Sequence, residues 1–204
     1  MIKTMNKNKE KTNLYIDGTN LLAGLVELVG LKNIPKFSSI LNIICRYYNI
    51  RKIYFYASYT PITRSSKPRE KQYALKEAIF FREVKTTPNL IFFKGYRSPT
   101  SKKEKGVDVH LAIDLTKDAF LEKYDQTIIM SGDADLTYAV QIVKTTGKKV
   151  AAVFLINRFS RGIAYEAKSG LILNYESSLK VNLGKLPKKI KIIKIKTPAC
   201  KHAG

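Results

Sequence analysis

The chain has 204 residues, 45% of them hydrophobic, and carries a formal charge of +21 from 37 basic and 16 acidic residues. That is a normal globular share, enough for one packed domain with a short appendage, and a charge beyond what solubility needs, which draws phosphates. Two distant cysteines, Cys45 and Cys200, argue against a disulfide scaffold and fit a reducing cytosol, two histidines cannot make a histidine-rich metal site, and no apolar run reaches the length of a membrane span.

Residues 1–13 are polar and lysine-rich, without the apolar core of a signal peptide, and read as a flexible basic arm. Residues 14–16 are apolar and end in Asp-Gly, which suits a first parallel strand and its turn. Residues 21–29 read as helical. Residues 35–48 form a second helical stretch, with Phe37, Ile40, Leu41, Ile44 and Tyr48 at helical spacing and Cys45 as a small core residue. Residues 52–57 are a second strand by their β-branched and aromatic content. A loop with Pro61 and Pro68 leads to a helix over 69–84 and a third strand over 90–93. Residues 95–106 read as a second basic loop. A helix over 107–123, a strand over 127–130 and a helix over 133–146 follow, the last closed by Gly147. Residues 149–155 are a fifth strand, 160–168 a short helix and 171–173 a last strand.

Strands alternating with helices predict an α/β fold with a mainly parallel central sheet and helices on both faces. The domain is expected over 14–176 and a lysine-rich tail over 177–204. In that tail Lys189-Ile190-Lys191-Ile192 and Lys194-Ile195-Lys196 alternate partly, which suits an edge strand or hairpin; a solvated end is the competing reading.

Four acidic stretches punctuate this basic chain. They are Tyr15-Ile16-Asp17-Gly18-Thr19-Asn20, Lys105-Gly106-Val107-Asp108, Ile113-Asp114-Leu115 and Ser131-Gly132-Asp133-Ala134-Asp135. Ligands of parallel α/β sheets bind beyond the carboxyl ends of the strands. Asp17 and Asp133 each follow a strand, and Asp108 lies where a helix begins, so all three can share one rim. Crowded carboxylates repel, and a divalent cation relieves them. Mg²⁺ or Mn²⁺ held by such acids, inside a basic protein, points to cleavage of a phosphodiester in RNA or DNA. Each acid also has a bland reading: Asp17 and Asp108 as helix caps, Asp133 and Asp135 likewise as caps, though that does not explain two of them beside Gly132, and Asp114 as half of a charge pair. At about 100° per residue Asp114 falls roughly 240° around the helix from Asp108, so the two do not share a helix face. Thr19 and Asn20 stand where either can orient Asp17, contact a phosphate or cap the helix, and Ser131 is a supporting residue of the last stretch.

In order along the chain, Leu14-Tyr15-Ile16-Asp17-Gly18-Thr19-Asn20, Lys105-Gly106-Val107-Asp108-Val109 with Leu111-Ala112-Ile113-Asp114, and Ile128-Ile129-Met130-Ser131-Gly132-Asp133-Ala134-Asp135-Leu136 resemble the motifs of NYN-domain proteins, in the PIN-like nuclease superfamily near the LabA-like group. Gly147-Lys148-Lys149-Val150 resembles the stretch that follows. The resemblance covers about 14–174 and implies a three-layer α/β/α PIN-like, Rossmann-like fold and a metal-dependent nuclease, usually acting on RNA. It implies Asp17, Asp108 and Asp133 as metal-site acids with Asp135 close by, Asn20 supporting the first motif, and Asp114 at a further acidic position. Ala134, Leu136 and Tyr138 depart from the Ser, Phe and Pro common there.

A phosphate-binding Gly-rich loop and a Ser nucleophile elbow are both absent from the sequence. A haloacid-dehalogenase-type phosphatase is excluded because Tyr15 occupies the place of its nucleophilic Asp. Two basic loops flank the inferred rim, with Arg64, Lys67 and Arg69 on one and Arg97, Lys102, Lys103 and Lys105 on the other; they would position a nucleic-acid backbone without reading its sequence. Tyr59, Tyr73 and Tyr96 are candidates for stacking unpaired bases, with ordinary packing favoured for Tyr73. The leading expectation is a cytoplasmic endoribonuclease acting on single-stranded RNA, with DNA as the alternative polyanion. A non-catalytic RNA- or DNA-binding module and a protein that forms homodimers through its tail are the competing readings.

Overall fold

A computed structural model of the chain describes residues 10–98, 104–175 and 181–196, with the side chains of residues 97 and 104 left out. The predicted Lys102 and Lys103 contacts, most of the arm, and residues 176–180 and 197–204 lie outside the described residues.

Seven strands build one sheet: β1 (Thr12–Asp17), β2 (Ile50–Ala57), β3 (Leu90–Lys94), β6 (Gln126–Met130), β7 (Lys149–Leu155), β8 (Ser169–Tyr175) and β9 (Lys189–Ile195). Their order is β3-β2-β1-β6-β7-β8-β9, and every pair is parallel. The central strand β6 and its two neighbours, β1 and β7, are buried almost end to end, as their apolar runs require of a sheet covered on both faces. Helices α1 (Gly18–Val29), α2 (Phe37–Cys45) and α3 (Pro68–Lys85) cover one face. Helices α4 (Val107–Phe120), α5 (Thr137–Thr145) and α6 (Arg161–Ala167) cover the other. On the first face Phe55 is packed by Phe37, Phe81 and Phe92. On the second, Tyr15 stacks on Tyr54 at 4.7 Å and meets Tyr124 edge-on. This is the three-layer α/β/α architecture expected from the alternation of elements.

Four differences from the sequence expectations have simple causes. Residues 95–106 are not all loop: β4 (Tyr96–Arg97) and β5 (Glu104–Lys105) pair antiparallel in a short ribbon. The helix expected from Asp133 begins as a 3₁₀ turn over Ala134–Leu136 before α5, because the Asp133 carboxylate caps that turn by accepting from Asp135 N–H. The alternation at 189–196 forms an edge strand, β9, one of the two readings of that stretch; what differs is the extent of the sheet, which through pairing with β8 runs into residues expected as tail. Cys45 is exposed and not in the core, since the buried stripe of α2 is Phe37, Ile40 and Ile44 and Cys45 turns off it.

Candidate active site

β1 and β6 run side by side at mid-sheet, with Ile16 opposite Met130. Their carboxyl ends deliver Asp17 and, three residues past Met130, Asp133 to one rim. Asp17 is only 3% exposed, a costly position for a carboxylate unless its lone pairs are met. Oδ1 accepts the Asn20 N–H at 2.9 Å, which makes Asp17 the N-cap of α1. Oδ2 accepts the Ser131 Oγ–H at 3.0 Å. Ser131 Oγ in turn accepts the Asp133 N–H at 3.1 Å, and Asp133 Oδ1 accepts the Asp135 N–H at 3.0 Å. Asn20 closes the ring from the other side, its Oδ1 accepting the Gly132 N–H at 3.1 Å. Thr19 Oγ1 accepts the Ser58 N–H at 3.4 Å and ties the start of α1 to the end of β2.

Gly132 must be small here. A Cβ on it would stand 2.4 Å from the Arg158 carbonyl oxygen. Gly106 has φ +85° as the N-cap of α4, a left-handed conformation that favours glycine and turns the chain into the helix. Val107 then sits so close to Gly95 that a Cβ on Gly95 would lie 2.4 Å from Val107 Cγ2, and Gly95 N–H donates to Ala57 O at 2.8 Å. The start of α4 is thereby held at the carboxyl ends of β2 and β3. Asp108, exposed in the first turn of α4, belongs to the same rim as Asp17 and Asp133.

Asp114 takes a different direction. Its Oδ2 accepts the Tyr56 hydroxyl at 3.0 Å and its Oδ1 pairs with Lys117 at 2.5 Å. Tyr56 is the register partner of Asp17 across β1 and β2, so Asp114 meets the sheet one strand away from Asp17. One helical turn on, the buried Asp118 accepts from the Tyr15 hydroxyl and from Lys123 Nζ, both at 2.8 Å. Burial, reinforced by these carboxylates, pushes the Tyr15 and Tyr56 phenols far up, so both stay protonated donors. The Tyr54 phenol beside them is pushed up to about 12, again chiefly by burial. Asp118, Tyr15 and Tyr56 did not emerge from sequence reasoning. The four-residue spacing of Asp114 and Asp118, which places both on one face of α4, was the available signal.

The donor set is chemically apt for a hard divalent ion, since carboxylate and hydroxyl oxygens line the rim. It is an open set. Among the described residues, no three Asp, Glu, His or Cys side chains gather closely enough to hold a metal ion. Asp17 and Asp133 are turned toward Ser131 and Asp135, and Asp108 faces solvent. An open set of a few carboxylates suits Mg²⁺, which keeps several waters and draws further ligands from substrate phosphate.

Around the rim, Arg64, Lys67 and Arg69 are exposed on the loop into α3 and in its first turn. Lys105 is exposed, and Arg97 stands opposite Glu104 in the ribbon that leads into Gly106. Of the three candidate stacking tyrosines, Tyr96 is 61% exposed. Tyr73 packs on the core, and Tyr59 is wedged against Phe81 and Phe92 with Lys85 and Lys94 over its ring.

A parallel α/β/α sandwich with carboxylates at the ends of its central strands has the architecture of PIN-like domains. Residues 11–169 match the NYN domain family, and the chain belongs to it. Domains of this family are generally nucleases. No sequence among curated proteins matches the chain. A crystal structure of a Vibrio parahaemolyticus protein of unknown function shares the fold, with a TM-score of 0.57 at 18% identity, covering 81% of this chain and 94% of that one. No helix among the described residues is long and apolar enough to cross a membrane.

Proposed function

We propose that the protein is a metal-dependent endoribonuclease whose working acids are Asp17, Asp108 and Asp133, with Asp135 beside them. The observation that carries this reading is the burial of Asp17 at the end of β1, bridged through Ser131 to the turn after the central strand β6 that bears Asp133. A cap needs no such bridge between two strands.

Asp17, Asp108 and Asp133 would hold Mg²⁺ or Mn²⁺. Such an ion, when bound, lowers the pKa of a water and offsets charge on the phosphate. The chain's own part is positional. Ser131 and Asn20 hold the Asp17 carboxylate and the Gly132 amide in fixed register, so the acids need not reorganise when substrate arrives. Exposed Arg64, Lys67, Arg69 and Lys105, with Arg97, Lys102 and Lys103, would draw the RNA backbone to the rim, and Tyr96 would stack an unpaired base. Single-stranded RNA is the favoured substrate, because the exposed Tyr96 offers a face on which an unpaired base can stack.

The test is cleavage of single-stranded RNA, duplex RNA and single-stranded DNA with Mn²⁺, Mg²⁺ or EDTA, alongside Asp17→Asn and Asp133→Asn. Metal-dependent cutting that disappears in both variants, with RNA affinity and melting temperature nearly unchanged, is expected. Full activity in either purified variant would overturn the assignment. A second reading, a binding module without turnover, is favoured by one observation: no three-acid cluster forms among the described residues. It predicts salt-sensitive RNA binding in every metal condition and no products.

A further inference from the structure

We propose that Glu27, Asn157 and Arg158 form a clamp that sets the separation of Asp17 and Asp133, acting as positioning residues through Gly132. The role as acids of a working site rests on the function proposed above; the clamp itself rests on the contacts. Asn20, Gly24 and Glu27 stand four and three residues apart, so they share one face of α1, the helix that Asp17 caps. Asn20 Oδ1 accepts the Gly132 N–H, which joins this face to the turn bearing Asp133. Gly132 also packs on the turn after β7, where a Cβ on it would stand 2.4 Å from the Arg158 carbonyl oxygen and 2.8 Å from Arg158 Cβ. That second turn returns to α1. Asn157 Nδ2 donates to Gly24 O and to Glu27 Oε2, both at 3.0 Å, and the Arg158 guanidinium pairs with Glu27 Oε1. Gly24 permits the approach, since a Cβ there would lie 2.7 Å from Leu155 Cδ1 and 2.8 Å from Arg158 Cγ. The three contacts close a triangle, so a shift of the 157–158 turn moves Gly132 against Asn20, and Asp133 against Asp17.

Stability alone does not account for this arrangement. The Glu27 and Arg158 side chains are 51% and 32% exposed, and an ion pair so open to solvent adds little. The turn also leaves Asn157 Oδ1 and Arg158 Nε buried without a partner among the described residues, which is unfavourable. What the contacts provide is direction. Each oxygen of one carboxylate is engaged by a different one of two consecutive side chains, and this gives the turn a single seating on α1. Asp17 and Asp133 come from different strands and meet through the Ser131 hydroxyl. The clamp is a second link between them, made on the far side of Gly132 and sharing no atom with the first. Acids that hold an ion with few protein ligands depend on outer contacts of this kind to stay in place.

The test compares the full chain with Arg158→Met, which keeps the stem and removes the guanidinium, with Asn157→Ala, and with Arg158→Lys, which leaves a cation for Glu27. Glu166→Gln breaks the Lys144 pair between α5 and α6, far from Gly132, and is the control. Hydrogen exchange of the Gly132, Asp133 and Asp135 amides, followed by NMR without metal, reports how firmly the turn is seated, because their bonds hold it. Mn²⁺ affinity, read from the paramagnetic resonance of the free ion, reports the acids. In Arg158→Met and Asn157→Ala these amides should exchange about tenfold faster or more, and Mn²⁺ should bind about tenfold more weakly. Arg158→Lys should stay near the parent in both, and the control should match it. The clamp is overturned if exchange at the three amides is unchanged, if the control speeds it equally, or if it rises only in step with exchange across the whole sheet. Faster exchange with Mn²⁺ bound as tightly as in the parent would also overturn it, because the acids would not have moved. A parent that binds no Mn²⁺, with exchange responding as expected, would uphold the clamp and overturn the metal site proposed for the rim.

Discussion

Ser131 is the joint between the two strand ends, since one hydroxyl donates to Asp17 and accepts from the Asp133 amide. Ser131→Ala leaves Asp17 Oδ2 without that donor while keeping every carboxylate. The expected outcome is a loss of about 10- to 100-fold in cleavage rate, the usual effect of removing a group that orients ligands, with about 1–2 kcal/mol of stability lost. Single-turnover rates and denaturant melts measure the two effects separately. Asp118 predicts the opposite split. It is buried and paired with Tyr15 and Lys123, so Asp118→Ala strands a buried hydroxyl and is expected to cost about 2–4 kcal/mol. The folded fraction should retain metal-dependent cutting, and urea melts beside cleavage per folded molecule would show it. The candidate acids were legible as residues but their orientations were not. A carboxylate's direction depends on donors supplied by other strands: Ser131 was readable as a supporting residue of its own stretch, but its bond to Asp17, 114 residues away, was not. Asp114 shows the same gap, because Tyr56, 58 residues away, decides where it points.

At the level of elements, the buried strands and amphipathic helices were readable because their periodicity reports their own burial. The ribbon β4–β5 and the edge strand β9 were less so, since a two-residue strand or a half-exposed one exists only by virtue of its partner. The contact between α5 and α6 also depends on partners distant in sequence. Glu166 accepts from Lys144 at 2.6 Å and from Gln141 at 3.0 Å, and these bonds, the lysine first, hold its carboxyl below the usual range. A carboxyl lowered in the folded state adds stability that is present above its unfolded pKa and is lost as pH falls through the folded pKa. Glu166→Gln should therefore cost up to about 0.5–1 kcal/mol at neutral pH, small because the pair is partly exposed. The difference should vanish in acid below the carboxylate range. Thermal melts of both proteins across pH would register this, and a gap that persisted in acid would assign the effect to packing.

For the molecule as a whole, the parallel sheet sends every strand's carboxyl end to one side, and the loops emerging there carry both the acids and many of the bases. A net charge of +21 on 204 residues then sets how a polyanion approaches. Binding through phosphates releases counterions, so log affinity should fall linearly with log salt, by about 0.7 per phosphate contacted on a single strand. Replacing Arg64 and Lys67 together with alanine should flatten that slope by about one to two and weaken all sequences alike, as backbone contacts do. Asp133→Asn should leave the slope nearly unchanged while removing the cut. Anisotropy titrations of one RNA at several salt concentrations, in EDTA, give the slopes directly. An unchanged slope in the Arg64/Lys67 variant would move the phosphate track away from the loop into α3. The β4–β5 ribbon would then be the next basic surface to test.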